Sequence, residues 1–387
     1  MGTTIALTLL LVGKLVAATT TFNPIPFSPG FNITAVSALA KSLPSHSWEF
    51  GTAAEALLEL HNPELSVFGA SPFPSLSYAS SKIVIGTGAN GLSDGDGAVG
   101  DPASLGVSAI LLGKIRGNSA YREAAAEEVD FIVNKAPRWS NGAISQRVDV
   151  AELWADFVYM APPFLAYYAV ATSDINLLRL TVTQCGLYRQ VLRSNTTASY
   201  KGLWTHIQGP QSADPGLWST GNAWAAAGMT RVLATVLKAP IAHEPKNRVW
   251  QSTAVLQLNT WIKEILDGAM HAPADDGLLR NYLNDTSGDG HGFGEISGSS
   301  LLAATAYRVA LMQPKVFGTK YINWADGIRG TLSRGHVESD GRVVPAVNPL
   351  GWGDTTPYTN GSPEGQNFVV LMYAAWRDCI WVGKCRR

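Results

Sequence analysis

The 387-residue chain predicts an all-α protein, and within that class an (α/α)6 barrel of six helical hairpins with short β connections. Three observations carry this expectation. Apolar residues recur at helical spacing along most of the chain, and long alternating strand patterns are scarce. Short turn-plus-strand segments recur as NGAISQR (141–147), KGLWTHI (201–207), DGLLRNY (276–282) and DGRVVPA (340–346), with starts 60, 75 and 64 residues apart. That period is the length of one helical hairpin with its connections, the mark of stacked units burying their faces on one another. Finally, no Gly/Ser-rich or Pro-rich linker divides the chain, so 19–387 reads as a single domain.

Taken in order, the first element is a leader. MGTTIALTLLLVGKLVAATT has an apolar stretch and a small-residue V-A-A end, so residues 1–18 read as a signal peptide cut near Ala17 or Ala18. Four N-x-S/T sequons, at Asn32, Asn195, Asn284 and Asn360, fit the same route to a secreted, extracellular glycoprotein. Helical spacing then predicts helices over 51–60, 101–115, 118–136, 153–168 and 175–193. Further helices are predicted over 221–237, 246–266, 298–312, 323–332 and 364–378. The helix richest in apolar residues, LWADFVYMAPPFLAYY, is apolar on every face, which describes an inner helix buried all round. Pro162 and Pro163 are expected to strain it.

Composition bounds the function. Hydrophobic residues make up 46% and charged residues 15% of the chain, whose formal charge is −1. Such a charge creates no field for nucleic acid or an anionic membrane, and past the leader no stretch is long and apolar enough to span a bilayer. Twelve tryptophans and twelve tyrosines supply flat faces on which sugar rings stack, and no CxxC or HExxH marks a zinc site. Of three cysteines, Cys379 and Cys385 are placed to close a short loop, and Cys185 falls in a helical pattern as a buried thiol. GTGANG (86–91) matches a dinucleotide fingerprint, but LSDGDG follows where a helix is required. DTSGDGHGFGEI (285–296) imitates a calcium loop but carries Ile296 at the twelfth position, so a surface turn is expected there.

The chemistry concentrates at Asp156, one acid in the otherwise apolar run 153–168. A buried carboxylate needs a partner, a proton or a task. Asp156 either caps a helix or pairs with a buried arginine, or it is a general acid in a dry pocket. Glu152, one turn earlier, could hold the charge of the pair or sit at an exposed helix start. Asp101 is expected as a helix N-cap followed by Pro102 at the first helical position, and also as a second carboxylate facing the cavity. Between 202 and 228, Trp204, His206, Trp218, Asn222 and Trp224 form the expected sugar-binding cluster. Aromatic faces suit sugar rings, and amide and imidazole groups suit hydroxyls.

These segments resemble the unsaturated glycuronyl hydrolases of glycoside hydrolase families 105 and 88, and more closely family 105 and its fungal secreted members. The resemblance runs from about Gly97 to Trp376, through LWADFVYMAPPFLAYY, GLWTHI, WSTGNAW, EISGSS and EGQNFVVLMYAAW in that order. It implies removal of a terminal unsaturated galacturonic acid, left by pectin lyases, from rhamnogalacturonan or pectin fragments. It further implies Asp156 as acid/base, with Asp101 as a second carboxylate and His206 and Tyr159 in contact with the sugar. The reaction implied is hydration of the C4=C5 enol ether of an oligosaccharide substrate, begun by a proton placed on C4, in an expected monomer with no cofactor and no metal. One departure stands out: Thr220 in WSTGNAW occupies the place of a family arginine suited to an anionic substrate. Arg147 and Arg280, on equivalent turn segments, are the candidates to replace it. The alternatives are a two-carboxylate glycosidase acting on saturated sugars, with Asp156 and Asp101 or Glu152, and a non-catalytic glycan-binding relative.

Overall fold

The computed structural model describes residues 22–69, 76–194 and 200–387. The expected leader at 1–18 and the sequon at Asn195 lie outside them. The first helices are α1 (Ile33–Ser42), α2 (Ser47–His61), α3 (Ser77–Lys82), α4 (Gly100–Ala103), α5 (Gly106–Ile115) and α6 (Ser119–Asp130). There follow α7 (Phe157–Ala171), α8 (Ile175–Leu192), α9 (Ser219–Lys238) and the one-turn α10 (Pro240–His243). The last are α11 (Arg248–His271), α12 (Ile296–Met312), α13 (Thr319–Leu332) and α14 (Pro363–Trp381).

Packing sorts them into two rings. The inner ring runs from α2 to α4 and α5, then α7, α9, α12 and α14, and α14 packs back on α2, so the ring closes. Outside it, α1 covers α14 and α2, α3 covers α2 and α5, and α6, α8, α11 and α13 back α5, α7, α9 and α12. This is the expected (α/α)6 barrel. The burial patterns explain the sorting. In α9 every residue from 219 to 236 is buried, and in α12 every residue from 296 to 310, so these helices have no face for water. In α11 burial falls on Ala254, Leu258, Ile262, Ile265, Leu266 and Ala269, a single stripe at helical spacing. Among the described residues the β content is one two-stranded antiparallel pair, β1 (Leu153–Trp154) with β2 (Ile207–Gln208), plus isolated bridges in the turn segments.

The inner ring holds charge deep in its centre. Arg231 of α9 pairs with Glu55 and Glu59 of α2, and Arg308 of α12 with Glu59 and with Asp378 of α14. Each buried charge faces an opposite one, which lets the network knit four helices instead of costing their separate desolvation. At the chain's end Cys379 and Cys385 form a disulfide, and Cys185 is a buried free thiol whose pKa burial pushes up to about 12.

Two local expectations need correction. Residues 153 and 154 are strand and α7 begins only at Phe157, so Asp156 stands at the helix entrance and not within it. Asp101 lies inside the short α4, whose N-cap position is Val99, so it caps nothing; its side chain instead meets Gln146. α7 runs unbroken through Pro162 and Pro163. The carbonyl of Val158, which Pro162 cannot bond, is packed so closely by Gly228 of α9 that a Cβ there would come within 2.0 Å.

Candidate active site

A cavity of about 180 Å³ opens at the end of the inner ring where α2, α4, α7, α9 and α14 begin. Its lining includes Trp48 of α2, Asp101 of α4, Asp156 before α7, Trp218 before α9 and Glu364 in the first turn of α14. His206, Gln146, Arg147, Trp154, Met160 and Trp352 are also in the walls, with Asp96 among the remaining lining residues. The amino ends of the long helices α2, α7, α9 and α14 therefore converge on one space. Their dipoles place partial positive charge there, which favours anionic groups. A larger cavity, of about 450 Å³, lies at the opposite, carboxyl ends of α5, α7 and α9, but Glu64 is the one acid lining it. The smaller cavity gathers the carboxylates of Asp96, Asp101, Asp156 and Glu364.

Asp156 occupies the N-cap position of α7 yet makes no capping hydrogen bond. Its side chain turns to His206 instead, where Oδ2 lies 3.3 Å from the imidazole Nε2. The approach is off the hydrogen-bond line, and both atoms are buried with no other partner among the described residues. A buried carboxylate oxygen left free inside a cavity is unusual and points to a ligand or a reaction. The other side of the imidazole is fixed: Nδ1 lies 2.9 Å from Oδ2 of Asp214. Asp214 in turn accepts from Tyr282 Oη and from the Gly216 N–H, each at 2.8 Å. Burial alone would lower the pKa of His206, but the Asp156 and Asp214 carboxylates hold it above the ordinary histidine value. Burial alone would raise Asp214, but His206, the Gly216 N–H and Tyr282 hold it below the ordinary carboxylate range.

Asp101 faces the same space under different terms. Burial pushes its pKa up to about 7, and the negative charge of Asp156 adds to the rise, against a hydrogen bond from Gln146 Nε2 and the charge of Arg147. The bond from Gln146 is 2.8 Å long. Gly100 makes room for it, since a Cβ there would meet Gln146 Oε1 at 2.4 Å. Glu364 is a third acid. Burial raises its carboxyl well above the ordinary value and Asp156 adds to the rise; Oε1 accepts from Trp48 Nε1 at 2.9 Å, and Oε2 is buried without a partner. The site thus sets two acids whose pKa burial raises beside a third that faces an imidazole.

A protein-family model described as Glycosyl Hydrolase Family 88 matches residues 94–362, a stretch that holds Asp101, Gln146, Arg147, Asp156, His206 and Asp214. The chain belongs to glycosyl hydrolase family 88. Among curated proteins it is 25% identical over 251 residues to the unsaturated rhamnogalacturonyl hydrolase YesR of Bacillus subtilis (strain 168). That match takes in 62% of this chain and 64% of YesR, so the chain spans just under two thirds of its relative. Among solved structures it is similar in fold to a family 105 glycoside hydrolase of C. acetobutylicum ATCC 824. There the TM-score is 0.68 at 16% identity, over 89% of this chain and 98% of the other. It is similar also to a possible family 105 member from Salmonella enterica, with TM-score 0.70 at 14% identity, over 92% and 97%.

Within this family 88 chain the residues expected from sequence part into two groups. Asp156, Asp101, His206 and Trp218 line the cavity, and Trp218 donates its indole N–H to Asn281. Trp204, Asn222, Trp224 and Tyr159 do not line it. Trp204 is fully buried with its indole N–H unpartnered, and Trp224 packs on Tyr159 and Phe368. Asn222 is a clamp: its amide bonds both the N–H and the C=O of Trp204 and the C=O of Trp218. Tyr159 lies one turn below Asp156, buried beside the guanidinium of Arg231. Glu152 is buried too. It accepts from Trp154 Nε1 and from the N–H groups of Gln211 and Ser212, and so ties down the loop that presents Asp214. Asp285, Asp289 and His291 of the calcium-loop look-alike do come together, but at the surface, with Asp289 exposed. Sequence reasoning missed Asp214, Gln146, Trp154, Trp352, Trp48 and Glu364. For Glu364 a signal existed in EGQNF, an acid directly before an apolar helix.

Proposed function

We propose that this chain is a hydrolase of unsaturated uronyl oligosaccharides, releasing terminal unsaturated galacturonic acid from lyase-cut rhamnogalacturonan or pectin. The observation that carries the reading is the convergence of Asp156 and Asp101, with unlike surroundings, on one aromatic-walled cavity. Relatives named for this activity support the substrate class, and exposed Asn32, Asn284 and Asn360 suit a secreted glycoprotein.

The geometry supports the following chemistry. C4 of the enol ether takes a proton from the carboxyl of Asp156, whose free Oδ2 is the reactive atom. The ring oxygen then shares the positive charge that forms at C5. Water attacks C5 and gives its proton back to Asp156. The resulting hemiketal opens, which turns C1 into a hemiacetal that expels the remaining sugar. Asp101, neutral below about pH 7, donates a hydrogen bond and adds no repulsion. His206, fixed through Nδ1 by Asp214, positions Asp156.

Purified protein mixed with lyase-generated oligosaccharides tests this directly. The ultraviolet absorbance of the double bond should fall as sugar is released. Release from saturated sugars without that loss assigns a two-carboxylate glycosidase instead, and binding with no turnover assigns a non-catalytic glycan binder.

A further inference from the structure

The cavity's cation is the feature that the reaction above leaves unused. Arg147 lines the cavity beside Asp101 and Asp156. It is half-buried, its Nε is buried without a hydrogen-bond partner, and no carboxylate pairs with its guanidinium among the described residues. The other sequence candidate is engaged elsewhere: Arg280 donates to the carbonyl oxygens of Gly292 and Ala274 and lies 3.8 Å from Asp275. Thr220, where the resemblance implied an arginine, is buried against Glu295 and is absent from the cavity lining.

The placing of Arg147 is built into the backbone. Its segment pairs with Ala98, and the Val148 N–H bonds the carbonyl of Gly97. Gly97 has φ +79°, and a Cβ there would meet the guanidinium Nη2 at 3.1 Å, so glycine leaves the room in which the fork lies. No acid forms an ion pair with Arg147 among the described residues: Asp156 faces His206, Glu364 is buried against Trp48, Asp101 and Asp149 feel its charge without bonding it, and Asp96 is exposed at the rim. A planar, fully charged fork with free donors, near the positive ends of four long helices, matches a carboxylate.

We propose that Arg147 is the anchor for the substrate's uronate carboxylate, taking over from a different strand-turn segment the charge that position 220 does not supply. The assignment rests on the uronyl reading of the site. With the C5 carboxylate held there, C4 and C5 are turned to Asp156, and neutral sugars are discriminated against.

The test compares an unsaturated galacturonyl disaccharide with its methyl ester, on wild type, R147Q and R147K. R147Q should raise KM for the acid by about tenfold or more, the loss of one charge-assisted pair, and should cost the ester far less. R147K, which keeps the charge without the fork, should recover part of the loss. An R147Q protein that keeps the wild-type KM and the wild-type preference of acid over ester overturns the assignment. Should wild type consume neither compound, the proposed reaction fails. Calorimetric titration with saturated digalacturonate then decides the anchor alone: binding weakened by R147Q sustains it, and binding unchanged by R147Q, or no binding, removes it.

Discussion

Oδ2 of Asp156 lies 3.3 Å from Nε2 of His206, with neither atom bonded to anything else among the described residues. The relationship separates the two readings that the sequence left open. Asp156 neither caps α7 nor meets a buried arginine. It is held at the mouth of the ring, at 15% side-chain exposure, with an oxygen to spare.

Asp156→Asn removes the transferable proton and the base, and keeps the shape. The expected loss in kcat is about 10²–10⁴-fold, the range for a positioned acid–base group. Sugar binding by calorimetry and the thermal midpoint should stay near wild type. Activity close to wild type would take Asp156 out of the mechanism.

Asp101 makes a pH-dependent prediction. Its folded pKa, about 7, is raised above the unfolded one. The stability it contributes is therefore fully present below about pH 4 and lost as pH rises through about 7. Asp101→Asn mimics the protonated form, so its melting temperature should gain on wild type between those limits. A gap that is the same at both ends would show that burial does not perturb this carboxyl. In the wild type, activity should fall on the alkaline side of about pH 7 as the proton is lost.

Asp214 acts on the reaction through His206. The His206 pKa is raised by Asp156 and Asp214 against burial, and Asp214→Asn removes one of the two. The imidazole should then lose its proton at lower pH, read by NMR from its ring protons, and kcat should fall more than KM rises. The sign for stability follows: a raised histidine stabilises fully below about 6.5 and ceases to as pH rises through its folded value. Asp214→Asn should hence cost more stability at about pH 5.5 than at about pH 8.5. An unmoved titration would make Asp214 a loop fastener and nothing more.

Asn222 and Trp352 should divide stability from binding. Asn222→Ala strands buried backbone groups of Trp204 and Trp218 and should cost about 2–3 kcal/mol in denaturant unfolding. The surviving folded protein should keep its KM. Trp352→Ala, at the half-buried rim with its ring 5.2 Å from that of His206, should raise KM with little loss of stability. The reverse pattern would return Asn222 to the binding site.

The contrast between those two residues shows where the sequence was legible. Helical spacing located the inner helices α7, α9, α12 and α14, because a helix buried all round is apolar all round. Closure of the ring depended on α14 meeting α2, a contact between distant segments with no local mark. Asp156 was visible as a lone acid in an apolar run, and His206 as an imidazole among aromatic residues. Trp204, Trp224 and Asn222 read as cleft residues because a core and a sugar site draw on the same aromatic and amide side chains. Asp214 and Gln146 left no trace: each matters through one partner, and the choice of partner is made by tertiary structure.

The central claim is that a proton is delivered to C4, and the product formed in heavy water tests it most directly. The account predicts that NMR and mass spectrometry of the released keto-uronate, sampled early, will show one deuterium on a single face of C4. A released uronate that keeps its double bond and carries no deuterium would contradict the account.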